Sequence, residues 1–531
     1  MGDRLFGMEA ELAVSGRRGT DVIAPGHLVA QLAAVARRTL KGLSSANNRL
    51  YLGNGGVFYV DCGDHPEYAT PECVTPAEAV SHLRAGERLV ERLAHIAGEE
   101  LAADTIMVSR TNVDYHGITT WGCHESYLGQ RPVSAYADWL IPHLVSRIVF
   151  TGSGGIDPRS PGIRFSLSPR VAFIHFAATN DSTSNRGIYH LRDESLSATY
   201  SRIHVLAGDN ACSQRSTWLK IGTTALVVAL ADARMRRYDW IKLASPVTAL
   251  HGFARDRNHR SKVLLRGGAE AMMTAVEIQR HLLARVEGCA GGASMPGWAA
   301  EVCTEWKRAL DLAESPAVEQ AHVFDWPLKF ALFRREIALC GFTPETVAAW
   351  TDALERLLQP KTPALAWLLP PSRVDAAEID ALRARGFVKQ TDVDEAERFL
   401  AGHELSWQGL GDFIALRRQL CATDMRFGEV GSGIFDSLDR QGLVPDQRVV
   451  SDGQIATAAT DPPNGTRAAA RAHWVRKLAN RNDRYICDWS GILGKGVRLA
   501  LDDPFATRGQ WVRQRRERGV ADVFELLRVR L

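Results

Sequence analysis

Two short stretches near the start of the chain alternate in polarity with a period of two. Leu5-Phe6-Gly7-Met8-Glu9-Ala10-Glu11-Leu12 reads as a strand that sets Glu9 and Glu11 on one face. After the turn signal Asn54-Gly55-Gly56, Val57-Phe58-Tyr59-Val60-Asp61 reads as a second strand, with Val57, Tyr59 and Asp61 sharing a face. Asp64, Glu67 and Glu72 follow closely, on backbone stiffened by Pro66 and Pro71.

Helical spacing predicts helices over 27–41, 76–97, 132–150, 218–231 and 277–286, and mostly helical structure from Gly288 onward. Short strands are predicted at 106–109 and around Ile203 and Val205. A further pair, 163–167 and 171–176, flanks a turn at Ser168-Pro169-Arg170. Asp461-Pro462-Pro463-Asn464-Gly465 is a break, followed by a basic helix over 466–479. Beyond it, 484–489 and 496–501 read as the two arms of a hairpin. Thr151-Gly152-Ser153-Gly154-Gly155 lacks the lysine of a phosphate loop.

Composition narrows the classes. A chain of 531 residues can bury a large core and divide into two to four domains. A formal net charge of +3 is small for this length and argues against binding nucleic acid through bulk charge. Glu9 and Glu11 interrupt any apolar run at the N-terminus, and no stretch reaches the ~20 apolar residues of a membrane span. The nine cysteines form no CxxC pair, so neither a zinc site nor a disulfide framework is expected. A cytoplasmic protein without membrane or nucleic-acid partners is the expectation.

The chemistry concentrates on the two acidic strands. Glu, Glu, Tyr and Asp on a common surface suit hard divalent cations, which take oxygen ligands. The polar run Gly122-Cys123-His124-Glu125-Ser126-Tyr127 follows a short strand, as sites carried on sheet edges do. Arg192-Asp193-Glu194 precedes a strand bearing Arg202 and His204 on its alternate face. Such cations serve either an anionic substrate or a surface salt-bridge network.

Longer motifs carry a resemblance. GMEAEL at 7–12, NGG and YVDCGDHPEYATPEC within 54–73, GCHESYL at 122–128, RDE and YSRIHVLAGDN within 192–210, DPPNGTRA at 461–468 and YICDW at 485–489 are similar to the ligase and the deamidase/depupylase of prokaryotic ubiquitin-like protein, Pup. That family is a branch of the glutamine-synthetase-like carboxylate–amine ligases.

The resemblance implies an α+β fold, with a curved antiparallel sheet cradling ATP and Mg2+, helices behind it and a small C-terminal domain. It implies a catalytic domain over 1–350, a helical insertion over 351–412 and a C-terminal domain over 413–531 that contributes to the nucleotide site. By motif position Glu9, Tyr59 and Glu67, with Glu11 beside them, resemble magnesium ligands. Thr70 and Trp489, with Arg202, resemble nucleotide contacts. Asp61 resembles the catalytic aspartate, and Arg192 and His204 stand as further catalytic candidates.

The implied activity is phosphorylation of a glutamate side-chain carboxylate, carried on a small protein or peptide, and its transfer to an amine such as a protein lysine. A hydrolase using Asp61 with nucleotide as cofactor, or a non-catalytic paralogue, is the alternative. The deamidase branch has a long insertion before the acidic strand, and Lys41 to Asn54 leaves no room for one. The chain departs from the family at Val57, where an arginine contacts the nucleotide, and at Ser195-Leu196 and Ala211-Cys212.

Overall fold

The structure, a computed structural model, describes residues 4–115, 119–181, 185–194, 197–233, 241–266, 271–289, 295–357, 389–402 and 407–513, with positions 384 and 386. Much of the expected 351–412 insertion, and Ser195-Leu196, lie outside the described residues.

Seven strands form the main sheet: β1 (Phe6–Glu11), β2 (Gly42–Ser44), β3 (Leu50–Leu52), β4 (Val57–Asp61), β5 (His65–Ala69), β6 (Cys123–Gly129) and β7 (Ser201–Val205). Their order is β7-β6-β1-β5-β4-β3-β2, and every neighbouring pair is antiparallel. Register then decides the faces, because side chains alternate across each strand. Glu9 pairs with Ala69 and His124, Glu11 with Glu67, Tyr59 with Glu67, and His204 with Ser126. These side chains therefore share one face.

The opposite face is apolar. Phe6, Met8, Ala10, Cys123, Tyr127, Ile203 and Val205 are buried in one core with Leu83, Leu219 and Leu226. Burying each large apolar side chain is worth about 1.5–3 kcal/mol. Helices thus cover that face and leave the acidic one for chemistry. The covering helices are α1 (Pro25–Thr39), α2 (Pro76–Glu100) and α3 (Gln214–Asp232).

α2 starts on a full capping box between Thr75 and Glu78, with Pro76 in its first turn. It lies close to the sheet because Gly86 faces Tyr68, where a Cβ would come within 2.0 Å of the ring. α3 is buried nearly all round, as expected of a helix without a polar stripe. No described helix is long and apolar enough to cross a membrane.

A four-stranded antiparallel C-terminal sheet follows helix α4 (Arg467–Leu478): β8 (Ile486–Asp488), β9 (Gly491–Gly494), β10 (Val497–Ala500) and β11 (Gln510–Arg513). It packs on the β2–β5 side of the main sheet through Cys487, Ile492 and Leu499 against Leu43, Tyr51 and Val57.

Several expectations are corrected. The arms at 484–489 and 496–501 are not direct partners. Asp488 Oδ1 accepts from Ser490 N at 2.7 Å, which tightens a turn and inserts β9 between them. The pair 163–167 and 171–176 becomes a two-residue strand, Phe165–Ser166, and a 3-10 turn, Pro169–Phe173, because Pro169 fixes φ at a helical start. The helix over 132–150 is divided into Val133–Tyr136, Ala137–Ser146 and Ile148–Thr151, with Pro142 inside the second segment.

Candidate active site on the open sheet face

β4 and β5 form a hairpin that presents Tyr59 against Glu67. Tyr59 Oη donates to Glu67 Oε1 at 2.6 Å, and both side chains are buried. β1 lies on the other side of β5. Its Glu11 accepts from Gly122 N at 2.7 Å and meets His65 Nδ1 at 3.1 Å. Carboxylate oxygens of Glu11, Asp61 and Glu67 all come within 4.8 Å of one another. A second cluster of the same span joins Glu9 to His124 and His204. The face thus divides the expected metal ligands: Glu11, Glu67 and Tyr59 stand with Asp61, while Glu9 stands one step along β1 with two imidazoles.

Charge crowding is visible in the acid strengths. Burial raises Glu67 well above the ordinary carboxylate range, and the charges of Glu9, Glu11 and Asp61 raise it further. Burial works in the same direction on Glu11. There the hydrogen bond from His65 and the charges of His124 and Arg170 outweigh it and hold the group at about 2. Tyr59 is pushed well above a normal phenol by burial and by Glu67. Repulsion among buried oxygen donors is the state that a hard cation relieves, so these residues fit Mg2+.

Arg202 and His204 border the cluster. Arg202 Nη2 donates to Glu9 Oε1 at 2.5 Å and its Nε to Ser126 Oγ at 3.0 Å. His204 is buried, 3.7 Å from Glu9, and neither ring nitrogen has a hydrogen-bond partner among the described residues. Burial, then Arg202 and the neighbouring histidines, lower it well below an ordinary imidazole. Arg192 stands apart: it is exposed and pairs with Glu194 at 3.3 Å rather than with the cluster.

A cleft opens beside Glu9. Thr70, Trp489 and Arg202 all line it, with Leu128, Tyr200 and Pro504. Thr70 Oγ1 accepts from Met8 N at 3.0 Å, which joins β1 to the end of β5. Trp489 is brought in by the C-terminal sheet. The Arg471 guanidinium lies 4.8 Å from its ring centroid.

Two acidic residues singled out in the sequence serve elsewhere. Glu72 accepts from Arg467 Nε at 2.7 Å and from Arg471 Nη2 at 2.6 Å, and so ties α4 to the main sheet. Glu125 alternates with His124 and turns inward, where Arg147 binds it at 2.6 and 2.8 Å. Residues not foreseen as neighbours of the cluster are His65, which grips Glu11, and Arg170, whose buried guanidinium donates to Leu206 O at 3.0 Å. His65 lies inside the acidic stretch, where its alternation with Glu67 was the available signal.

A family model described as Pup-ligase protein matches residues 4–353 and 403–493. A Pup–protein ligase of Acidimicrobium ferrooxidans is 28% identical over 524 residues, which cover 96% of this chain and 97% of that protein. A Pup deamidase/depupylase of Mycolicibacterium smegmatis is 35% identical over 452 residues, 84% of this chain and 75% of that protein. Among solved structures, the complex of Pup with its ligase PafA superposes with a TM-score of 0.70 at 22% identity, covering 100% of this chain and 93% of that one. PafA in complex with ADP gives 0.64 at 23% identity, covering 94% and 93%. These two likenesses carry the fold: a large antiparallel sheet backed by helices, with a C-terminal domain of strands.

Proposed function

The chain belongs to the Pup-ligase family, and from that membership we propose that it is an ATP-dependent carboxylate–amine ligase. It joins a glutamate side-chain carboxylate, carried on a small protein of the Pup type, to an amine such as a protein lysine. The observation that carries this reading is the single open face on which Glu9, Tyr59, Asp61 and Glu67 stand beside a cleft lined by Thr70 and Trp489.

A carboxylate is a poor acyl donor because oxide would have to leave. Its oxygen attacks the γ-phosphorus of ATP, ADP departs, and an acyl phosphate results. The amine then attacks the acyl carbon, inorganic phosphate leaves, and the amine gives up a proton. Glu9, Tyr59, Glu67 and Glu11 would hold Mg2+, which when bound neutralises charge on the phosphates. Asp61, exposed at the end of β4, takes the proton of the incoming amine as general base. Arg202, held by Glu9, and His204 orient anionic groups along β7. Trp489 and Thr70 form the nucleotide end of the cleft. Arg192 lies outside this arrangement and is left without a catalytic part.

We take residues 1–350 as the catalytic unit, 351–412 as an insertion and 413–531 as the C-terminal unit. The family match pauses between 353 and 403, in keeping with this division.

The test is turnover. With Mg·ATP, a peptide ending in glutamate and a lysine acceptor, the ligase releases ADP and phosphate and forms a conjugate seen by mass spectrometry. The second reading, hydrolysis of a side-chain amide or isopeptide, is favoured by the 35% identity to the deamidase/depupylase. It predicts ammonia or amine release with little net ATP consumption. The ligase is preferred because it is matched along 97% of its own length, against 75%. Only β2 and β3, both short, separate α1 from the acidic strand. Amide hydrolysis without conjugate formation would reverse that preference.

A further inference from the structure

Arg49 borders the carboxylate cluster on its β3 side and has no part in the reading above. It leaves the Ser45–Asn48 turn one position before β3, where the Leu50–Phe58 pair continues the β3–β4 register toward Tyr59. Its backbone is fixed: Arg49 N donates to Ser45 Oγ at 3.0 Å, and Arg49 O accepts from Ser45 N at 2.8 Å. The side chain crosses the open face, and its guanidinium carbon lies 4.4 Å from the Tyr59 ring centroid. Among the described residues, no hydrogen bond or ion pair engages that guanidinium. Burial opposes its charge, yet Tyr59, Glu9, Tyr51 and Glu67 more than offset this.

The neighbouring guanidiniums are committed. Arg202 holds Glu9 and Ser126, while Arg467 and Arg471 hold Glu72. A partly buried guanidinium whose five donors meet no hydrogen-bond partner among the described residues is suited to receive an anion. It faces the carboxylate cluster from the side opposite Arg202. Val57, paired with Tyr51 across β3 and β4, is fully buried and brings no charge.

We propose that Arg49 is a phosphate-contacting residue of this chain, gripping the polyphosphate of the bound nucleotide from the β3 side. This rests on the nucleotide-binding reading above and extends it to one residue. The cation–π contact with Tyr59 then serves to park the guanidinium, and a phosphate takes over its planar fork bidentately.

Binding of Mg·ATP and of AMP by the full chain, in competition with a fluorescent ATP analogue, tests it. Arg49→Ala is expected to weaken Mg·ATP roughly tenfold to a hundredfold, the scale of a lost hydrogen bond to a charged group. AMP competition should stay within about twofold, and Arg49→Lys should recover part of the ATP affinity as a point charge. An Arg49→Ala chain that binds Mg·ATP like the parent overturns the proposal. So does an equal fall for ATP and AMP, because Arg49 would then only cover Tyr59. If the parent chain itself bound no nucleotide, the functional reading would fall first, and this outcome is distinct from the other two.

Discussion

Asp61 and Glu67 are both carboxylates of one hairpin, and their surroundings give them different work. Glu67 is buried against Tyr59 and crowded by like charge, which suits a ligand to a cation. Asp61 is exposed at the strand end, where an incoming amine can reach it. Asp61→Asn is therefore expected to lower conjugate formation by roughly a hundredfold or more, the usual weight of a positioned base. Mg·ATP affinity and the thermal midpoint should be little changed. Steady-state ADP release and thermal unfolding check this, and a variant turning over at the parent rate would remove Asp61 from the chemistry.

At the level of elements, the site depends on how closely α2 and the C-terminal strands are drawn onto the sheet. Gly86 allows α2 to seat against Tyr68, and Tyr68 Oη in turn receives Asn54 Nδ2 at 2.9 Å. Gly86→Ala puts a methyl into that ring and should destabilise the chain by about 1–3 kcal/mol through overpacking. Gly252→Ala makes the opposite case. It lies in the exposed part of the helix Pro246–Arg255, where an added Cβ would meet no neighbouring atom of the described residues within 4 Å, so the better helix former should stabilise by about 0.5–1 kcal/mol. Denaturant midpoints of the two variants should move in opposite directions, and a shared direction would refute the packing argument.

Across the whole molecule, one half-buried carboxylate joins the main sheet to the C-terminal unit that carries Trp489. Burial alone would raise Glu72, but Arg471 and Arg467 outweigh it and hold the carboxyl at about 2, against an ordinary 4.5. A folded-state value below the unfolded one gives stability that is fully present above about pH 4.5 and is lost as pH falls toward 2. The scale is on the order of 3 kcal/mol. Glu72→Gln should therefore cost stability at pH 7, and the gap to the parent should shrink steadily below pH 4.5. Urea unfolding across that range measures it. A gap independent of pH would show that the Glu72 charge is not what holds the two parts together.

The sequence by itself determined the alternation that puts Glu9 with Glu11 and Tyr59 with Asp61, because the period of a strand is local and needs no partner. It also determined the family, through motifs spread along most of the chain. Only the tertiary structure decided which strands are neighbours. Inserting β5 between β1 and β4 sets Glu11 against Glu67, while β6 and β7 bring His124 and His204 to Glu9. Glu72 shows the limit most clearly. Its spacing made it one more acid beside the site, and two arginines from almost 400 positions away made it a clamp. Such pairing is fixed by the packing of distant elements, and no local pattern records it.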